Sequence, residues 1–165
     1  MRYAGIIKND ISAAPGVCVS FFTQGCPHKC PGCHNPETWD FNGGKEFTVN
    51  TILEILEALG VNGIDRSFCI MGGEPLCPSN LAITALVTEE VKQRFPNKKI
   101  FLWTGYTMSE LESYKRVNDN NKEGKLLRKI LNNINCLIDG RYEEDKRDIT
   151  LVMRGSSNQN IYYFD

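Results

Sequence analysis

A chain of 165 residues is long enough for one compact domain and short for two. Hydrophobic residues make up 41% of it, which excludes a wholly disordered chain. Its 19 basic and 20 acidic side chains give a net charge of −1, which argues against a nucleic-acid coat or a polybasic membrane anchor.

The segment MRYAGIIKND holds too short an apolar stretch for a secretory signal, and no apolar run reaches the ~18 residues of a bilayer span. The expectation is a cytoplasmic protein with reduced thiols. Its seven cysteines are an odd number, so complete internal pairing is excluded, and clustered thiols point to metal or redox chemistry.

Residues 17–22 (VCVSFF) predict a first strand. Ile52, Ile55, Leu56 and Leu59 recur at helical spacing, with Gly60 placed to end that helix. A second strand follows at residues 67–71 (SFCIM). Ser79 is placed to cap a second helix carrying Leu81, Ala82, Ala85 and Leu86, which must stop before Pro96. Residues 99–103 (KIFLW) predict a third strand, and residues 108–115 and 125–131 two further helical pieces. The polar stretch 118–124 between those pieces reads as a surface insertion. Residues 135–139 (NCLID) predict a fourth strand. Residues from Ile149 onward, and those before Pro15, are candidate edge strands.

Short, nearly continuous apolar strands alternating with helices predict an α/β fold with a mainly parallel sheet and helices outside. Four such units are too few to close an eight-stranded barrel, so the expectation is one domain over residues 1–165, built as a partial, open βα barrel. Parallel strands send the loops that follow them to one edge, where such sheets bind ligands. The four loops are unusual ones: QGCPHKCPGC (24–33), GGEP (72–75), TGY (104–106) and Asp139-Gly140.

In the first loop Cys26, Cys30 and Cys33 form C-x3-C-x2-C, and its prolines prevent a regular helix. Three thiolates this close need a cation. A cluster with three protein ligands leaves one iron open to a substrate; a structural zinc with His28 or His34 as fourth ligand satisfies the same spacing. Gly72 and Gly73 permit close backbone approach to a ligand, and Glu74 can accept hydrogen bonds from an amine. Lys29, the one cation within the loop, is expected to face solvent. Cys18, Cys69 and Cys136 fall within strands and read as small core residues, whereas Cys77 falls in a rim loop.

Taken together, the cysteine triplet and MGGEP resemble the radical S-adenosylmethionine (SAM) superfamily. More narrowly the chain resembles the activating enzymes of anaerobic (class III) ribonucleotide reductases. The likeness runs from about Ile7 through Gln159 and is carried by PGVCVSFFTQGCPHKCPGCHNPETW, FLWTGY, LIDGRYEED and RGSSNQ. It implies a [4Fe–4S] cluster on Cys26, Cys30 and Cys33 whose open iron chelates SAM, and no catalytic side chain beyond cluster and SAM. The implied cofactor-binding residues are Gly32, Cys33, His34, Gly72, Gly73 and Glu74; Thr104 and Asp139 are further candidates from their rim positions, Thr104 reading equally as a cap of the following turn and Asp139 as part of an Asp-Gly turn. The implied reaction is reductive cleavage of SAM to a 5′-deoxyadenosyl radical, which generates a glycyl radical on the reductase large subunit. A low-potential donor such as flavodoxin would supply the electron.

Two departures stand out. Gly32 occupies a position that is often aromatic in the superfamily, and His34 one that is more usually Tyr in this family. Activation of another glycyl-radical enzyme such as pyruvate formate-lyase, or a non-catalytic zinc- or cluster-binding module, are the alternative readings. RGSSNQ (154–159) reads either as a ligand-contacting donor cluster or as a polar loop.

Overall fold

The four apolar runs form four neighbouring parallel strands in a computed structural model that describes residues 1–164. The elements in chain order are β1 (Arg2–Asp10), β2 (Val17–Thr23), β3 (Lys45–Glu46), α1 (Val49–Gly60), β4 (Arg66–Gly72), α2 (Leu81–Arg94), β5 (Ile100–Trp103), α3 (Met108–Val117), α4 (Lys122–Asn133), β6 (Cys136–Asp139) and β7 (Asn160–Tyr163). They build one open sheet in the order β3-β1-β2-β4-β5-β6-β7. The parallel register runs from Val17 opposite Arg66 to Thr23 opposite Gly72, then Phe68 opposite Ile100 and Phe101 opposite Cys136. β1 and β7 flank the parallel core antiparallel to β2 and β6, and β1, expected at the edge, is itself covered by the short antiparallel β3.

Alternation along the strands sorts two faces. Val19, Phe21, Phe68, Ile70, Ile100, Leu102 and Leu137 point to one side and pack with Ile55 and Leu59 of α1, Leu81, Ile83, Val87 and Val91 of α2, Leu111 of α3, and Leu127 and Ile130 of α4. All four helices therefore contribute to one layer of apolar core. Cys18, Cys69, Phe101, Cys136 and Ile138 point to the other side, against Ala14 and Met153. The strand cysteines are core residues, as their positions suggest.

Three expectations are corrected. Asn80, not Ser79, precedes α2, and its side chain is turned to the rim loops instead of capping the helix. The surface stretch expected over residues 118–124 is a shorter turn, with residues 119–122 exposed and residues 122–124 already helical. α3 runs to Val117 and α4 starts at Lys122, where Asn121 caps it by accepting from the Gly124 N–H at 3.0 Å. The C-terminal edge strand begins at Asn160, because residues 149–159 fold as a loop. No helix is long and apolar enough to cross a membrane among the described residues.

Candidate functional site

The loops leaving β2, β4, β5 and β6 meet at one rim and line a cleft of about 790 Å³. Cys26, Cys30, Gly32, Cys33, His34, Gly72, Gly73, Glu74 and Thr104 all line it. Cys26 is buried and Cys30 and Cys33 are half-buried. Lys29 is exposed and takes a left-handed backbone (φ 48°), which reverses the chain between the first two cysteines. Burial pushes the Cys26 thiol up, opposed by the His28 N–H, with Glu74 adding to the rise. Burial also raises Cys30, and the backbone of Tyr142 opposes it. These thiols hold their protons until a metal displaces them.

The loop is tied down around the cysteines. Gly25 and Cys26 N–H groups donate to the Thr38 and Trp39 carbonyls at 2.7 and 3.2 Å. Gln24, itself buried, donates to the carbonyls of Glu37 and Asp40. The GGEP loop packs directly on this segment. Gly73 donates to the Thr23 carbonyl at 2.8 Å, and Glu74 N–H to that of Gly25 at 2.9 Å. A Cβ on Gly73 would lie 2.5 Å from the Gly25 oxygen, so this glycine is required by the contact between loops as well as by the cleft. Asn80 Nδ2 closes the join by donating to the carbonyls of Gly25 and Glu74.

Glu74 is 1% exposed, and its carboxylate is saturated. Oε1 accepts from Leu76 N–H at 2.9 Å and Thr104 Oγ1 at 2.7 Å; Oε2 accepts from Gly105 N–H at 2.7 Å and lies 2.9 Å from His28 Nε2. An ionised carboxylate offers about four lone-pair sites, so the expected acceptor for an amine is already engaged by protein donors. Thr104 is committed likewise, since its hydroxyl donates to Glu74 and accepts from the Tyr106 N–H. Asp139 lies outside the cleft lining. Its Oδ2 accepts from Met108 N–H at the start of α3, and its Oδ1 from the backbone and side chain of Asn160.

Sequence reasoning missed Arg141 and Tyr142, which line the cleft beside Cys30. Both lie in LIDGRYEED, one of the stretches that carry the family likeness, and directly after the Asp139-Gly140 turn, and those two signals together could have marked them. RGSSNQ proves mainly a clasp. Gln159 accepts from the Gly155 and Ser156 N–H groups and donates to the Gly140 carbonyl, while Asn158 donates to the Arg141 carbonyl. Arg154 joins the clasp through Nη1, which donates to the Gln159 carbonyl at 3.2 Å, while its Nε, like Trp39 Nε1, is buried at the cleft wall with no partner among the described residues. Cys77 is buried, and burial pushes its thiol up to about 11, so it is not a reactive rim thiol.

The donor set fits an iron–sulfur cluster. Such a cluster takes one thiolate per iron, so its ligands need not converge on a point. Among the described residues, no three His, Cys, Asp or Glu side chains are grouped to hold a single metal ion. His28 offers no free nitrogen to a zinc ion, because Nε2 faces Glu74 and Nδ1 accepts from Arg141 Nε at 3.2 Å.

Three thiols on a rim loop of a parallel sheet, beside a cleft with unpaired donors, define an iron–sulfur domain of the radical SAM type, and residues 13–162 match the model of the 4Fe-4S single cluster domain. Full-length relatives narrow this further. The chain is 39% identical over 165 residues to the anaerobic ribonucleoside-triphosphate reductase-activating protein of Pasteurella multocida (strain Pm70), covering 99% of this chain and 98% of that one. It is 33% identical to the protein of the same name from Escherichia coli (strain K12), over 99% of both chains. With that of Enterobacteria phage T4 it shares 35% identity, over 98% of this chain and 94% of the other. The chain belongs to the family of anaerobic ribonucleoside-triphosphate reductase-activating proteins.

Proposed function

We propose that this protein is the activase of an anaerobic ribonucleoside-triphosphate reductase, with Cys26, Cys30 and Cys33 holding a [4Fe–4S] cluster and the adjoining cleft holding SAM. The observation that carries the reading is the meeting of the cysteine loop with the GGEP and TGY loops at one cleft, in a chain matched end to end by relatives of that name. When bound, the cluster and SAM supply reductive cleavage of the sulfonium to a 5′-deoxyadenosyl radical, which abstracts a hydrogen atom from a backbone glycine of the reductase.

The chain's own residues bind, orient and enclose. Backbone groups of Gly72 and Gly73 would hold the methionyl end of SAM, and Gly32, Cys33 and His34 line the cleft beside the cysteines that would hold the cluster. Glu74 and Thr104 line the pocket, and the hydrogen bond that Thr104 donates to Glu74 keeps both loops in place. Arg154 Nε and Trp39 Nε1 are donors awaiting acceptors, as the carboxylate and ribose oxygens of SAM would provide. The reductase large subunit closes the open side, and a low-potential donor such as flavodoxin delivers the electron in the cytoplasm.

The test is to mix the reduced, anaerobically reconstituted protein and SAM with the reductase subunit and record the electron paramagnetic resonance (EPR) spectrum. A glycyl radical is expected. No radical there, with a strong one on pyruvate formate-lyase, would reassign the substrate. A colourless protein holding one zinc would replace the enzyme with a binding module.

A further inference from the structure

His28 has no part in the reading above, yet it is the residue at which all four rim loops join. It lies between Cys26 and Cys30, and its side chain is only 6% exposed. Nε2 lies 2.9 Å from Glu74 Oε2, on the loop after β4. Nδ1 accepts from Arg141 Nε, on the loop after β6. The ring stands edge-on to Tyr106, on the loop after β5, with centroids 4.6 Å apart. Gly105 makes that approach feasible, because a Cβ there would sit 2.4 Å from His28 Cδ2.

The hydrogen-bond directions are determined by the chemistry. Arg141 can only donate, so Nδ1 is the acceptor and the proton sits on Nε2, from which it is donated to Glu74. Arg141 is held in turn by a two-pronged pair with Glu110 of α3, at 3.0 and 3.2 Å. The result is a line of side chains, Glu74–His28–Arg141–Glu110, running from the cleft lining to α3. Within it the imidazole is the one group contributed by the cysteine loop.

We propose that His28 is a positioning residue, a pin that sets the shape of the Cys26–Cys33 loop and so the fit of SAM against the cluster, without ligating metal. This rests on the function proposed above. Lys29, which follows His28, is exposed and takes a left-handed backbone.

The test compares His28→Phe, which keeps the ring but removes both polar links, with His28→Gln, which keeps an N–H within reach of Glu74. Each is reconstituted anaerobically and assayed for iron content, SAM affinity by equilibrium dialysis, and the EPR spectrum of the reduced cluster with and without SAM. Both variants are expected to hold as much iron as the wild type. His28→Phe is expected to bind SAM at least tenfold more weakly and to show an altered SAM-induced spectral change, and His28→Gln to recover most of both. Loss of iron in both variants would make His28 a ligand and overturn the proposal. Wild-type affinity and spectrum in His28→Phe would overturn it as well, and so would an equal loss in both variants.

If His28→Phe does not fold, Glu110→Gln supplies the test from the far end, because it slackens Arg141 without unpairing Glu74. Weakened SAM affinity supports the pin, and unchanged affinity contradicts it. Failure of the wild type itself to bind SAM would instead strike at the proposed function. In that case amide exchange across residues 26–33, expected to be faster in His28→Phe, still decides the pin, and equal exchange overturns it.

Discussion

Thr104 shows what a single hydroxyl does at this rim. It fills one acceptor site of a buried carboxylate and receives the Tyr106 N–H, so Thr104→Val removes a donor and an acceptor at once. Leaving such groups unpaired costs about 1–3 kcal/mol. Denaturant unfolding should show a loss of that size, and a loss near zero would mean that Glu74 has another donor. Arg154 is the opposite case, a side chain whose Nε awaits a partner. Arg154→Met also removes the hydrogen bond from Nη1 to the Gln159 carbonyl, so a stability loss of about 1 kcal/mol is expected beside weakened SAM binding; unaltered binding would remove Arg154 from the cofactor site. The cysteine triplet was legible from spacing because cluster ligation is local in sequence. The saturation of Glu74 was not, because its donors Leu76, Thr104, Gly105 and His28 come from three separate loops.

Among the elements, the β1–β2 hairpin depends on Asp10. Its Oδ2 accepts from Ser20 Oγ at 2.6 Å, and its Oδ1 from the N–H and hydroxyl of Ser12. Burial works to raise the Asp10 carboxyl, but the serine hydrogen bonds outweigh it and hold the group below the usual aspartate range. A depressed folded-state pKa contributes stability that is present above the unfolded value and lost as pH falls through the folded one. Stability should therefore fall as pH drops below about 4, and Asp10→Asn should flatten that part of the profile. An acid limb of unchanged shape in the variant would contradict this. The clasp from Gln159 to Gly140 holds the loop that carries Arg141. Gln159→Ala should speed amide exchange across residues 140–143 more than across β2; equal protection would show that the clasp is dispensable. Strand and helix cores were readable from apolar runs and 3.6-residue spacing. The loop at residues 118–121 was legible from its polar composition, but its end was misplaced, because the Asn121 cap and the buried Leu127 and Ile130 start α4 already at Lys122.

Across the whole molecule, the parallel order β2-β4-β5-β6 is what turns four scattered motifs into one rim. That convergence was inferable from alternating strands and helices, since strands running the same way must deliver the loops that follow them to the same edge. The edge strands were harder to place: β7 begins only after a loop whose internal hydrogen bonds, not any apolar pattern, define it. The rim asks most of its three thiols. Replacing Cys26, Cys30 or Cys33 by Ala should abolish SAM cleavage, and Cys18→Ala, on the buried strand face, should not. The most direct test is Mössbauer spectroscopy of the protein reconstituted with iron-57, before and after SAM is added. The account predicts about four irons per chain, one of which changes its signal when SAM binds while the other three do not. Four irons all indifferent to SAM, or a single metal ion in place of a cluster, would contradict it.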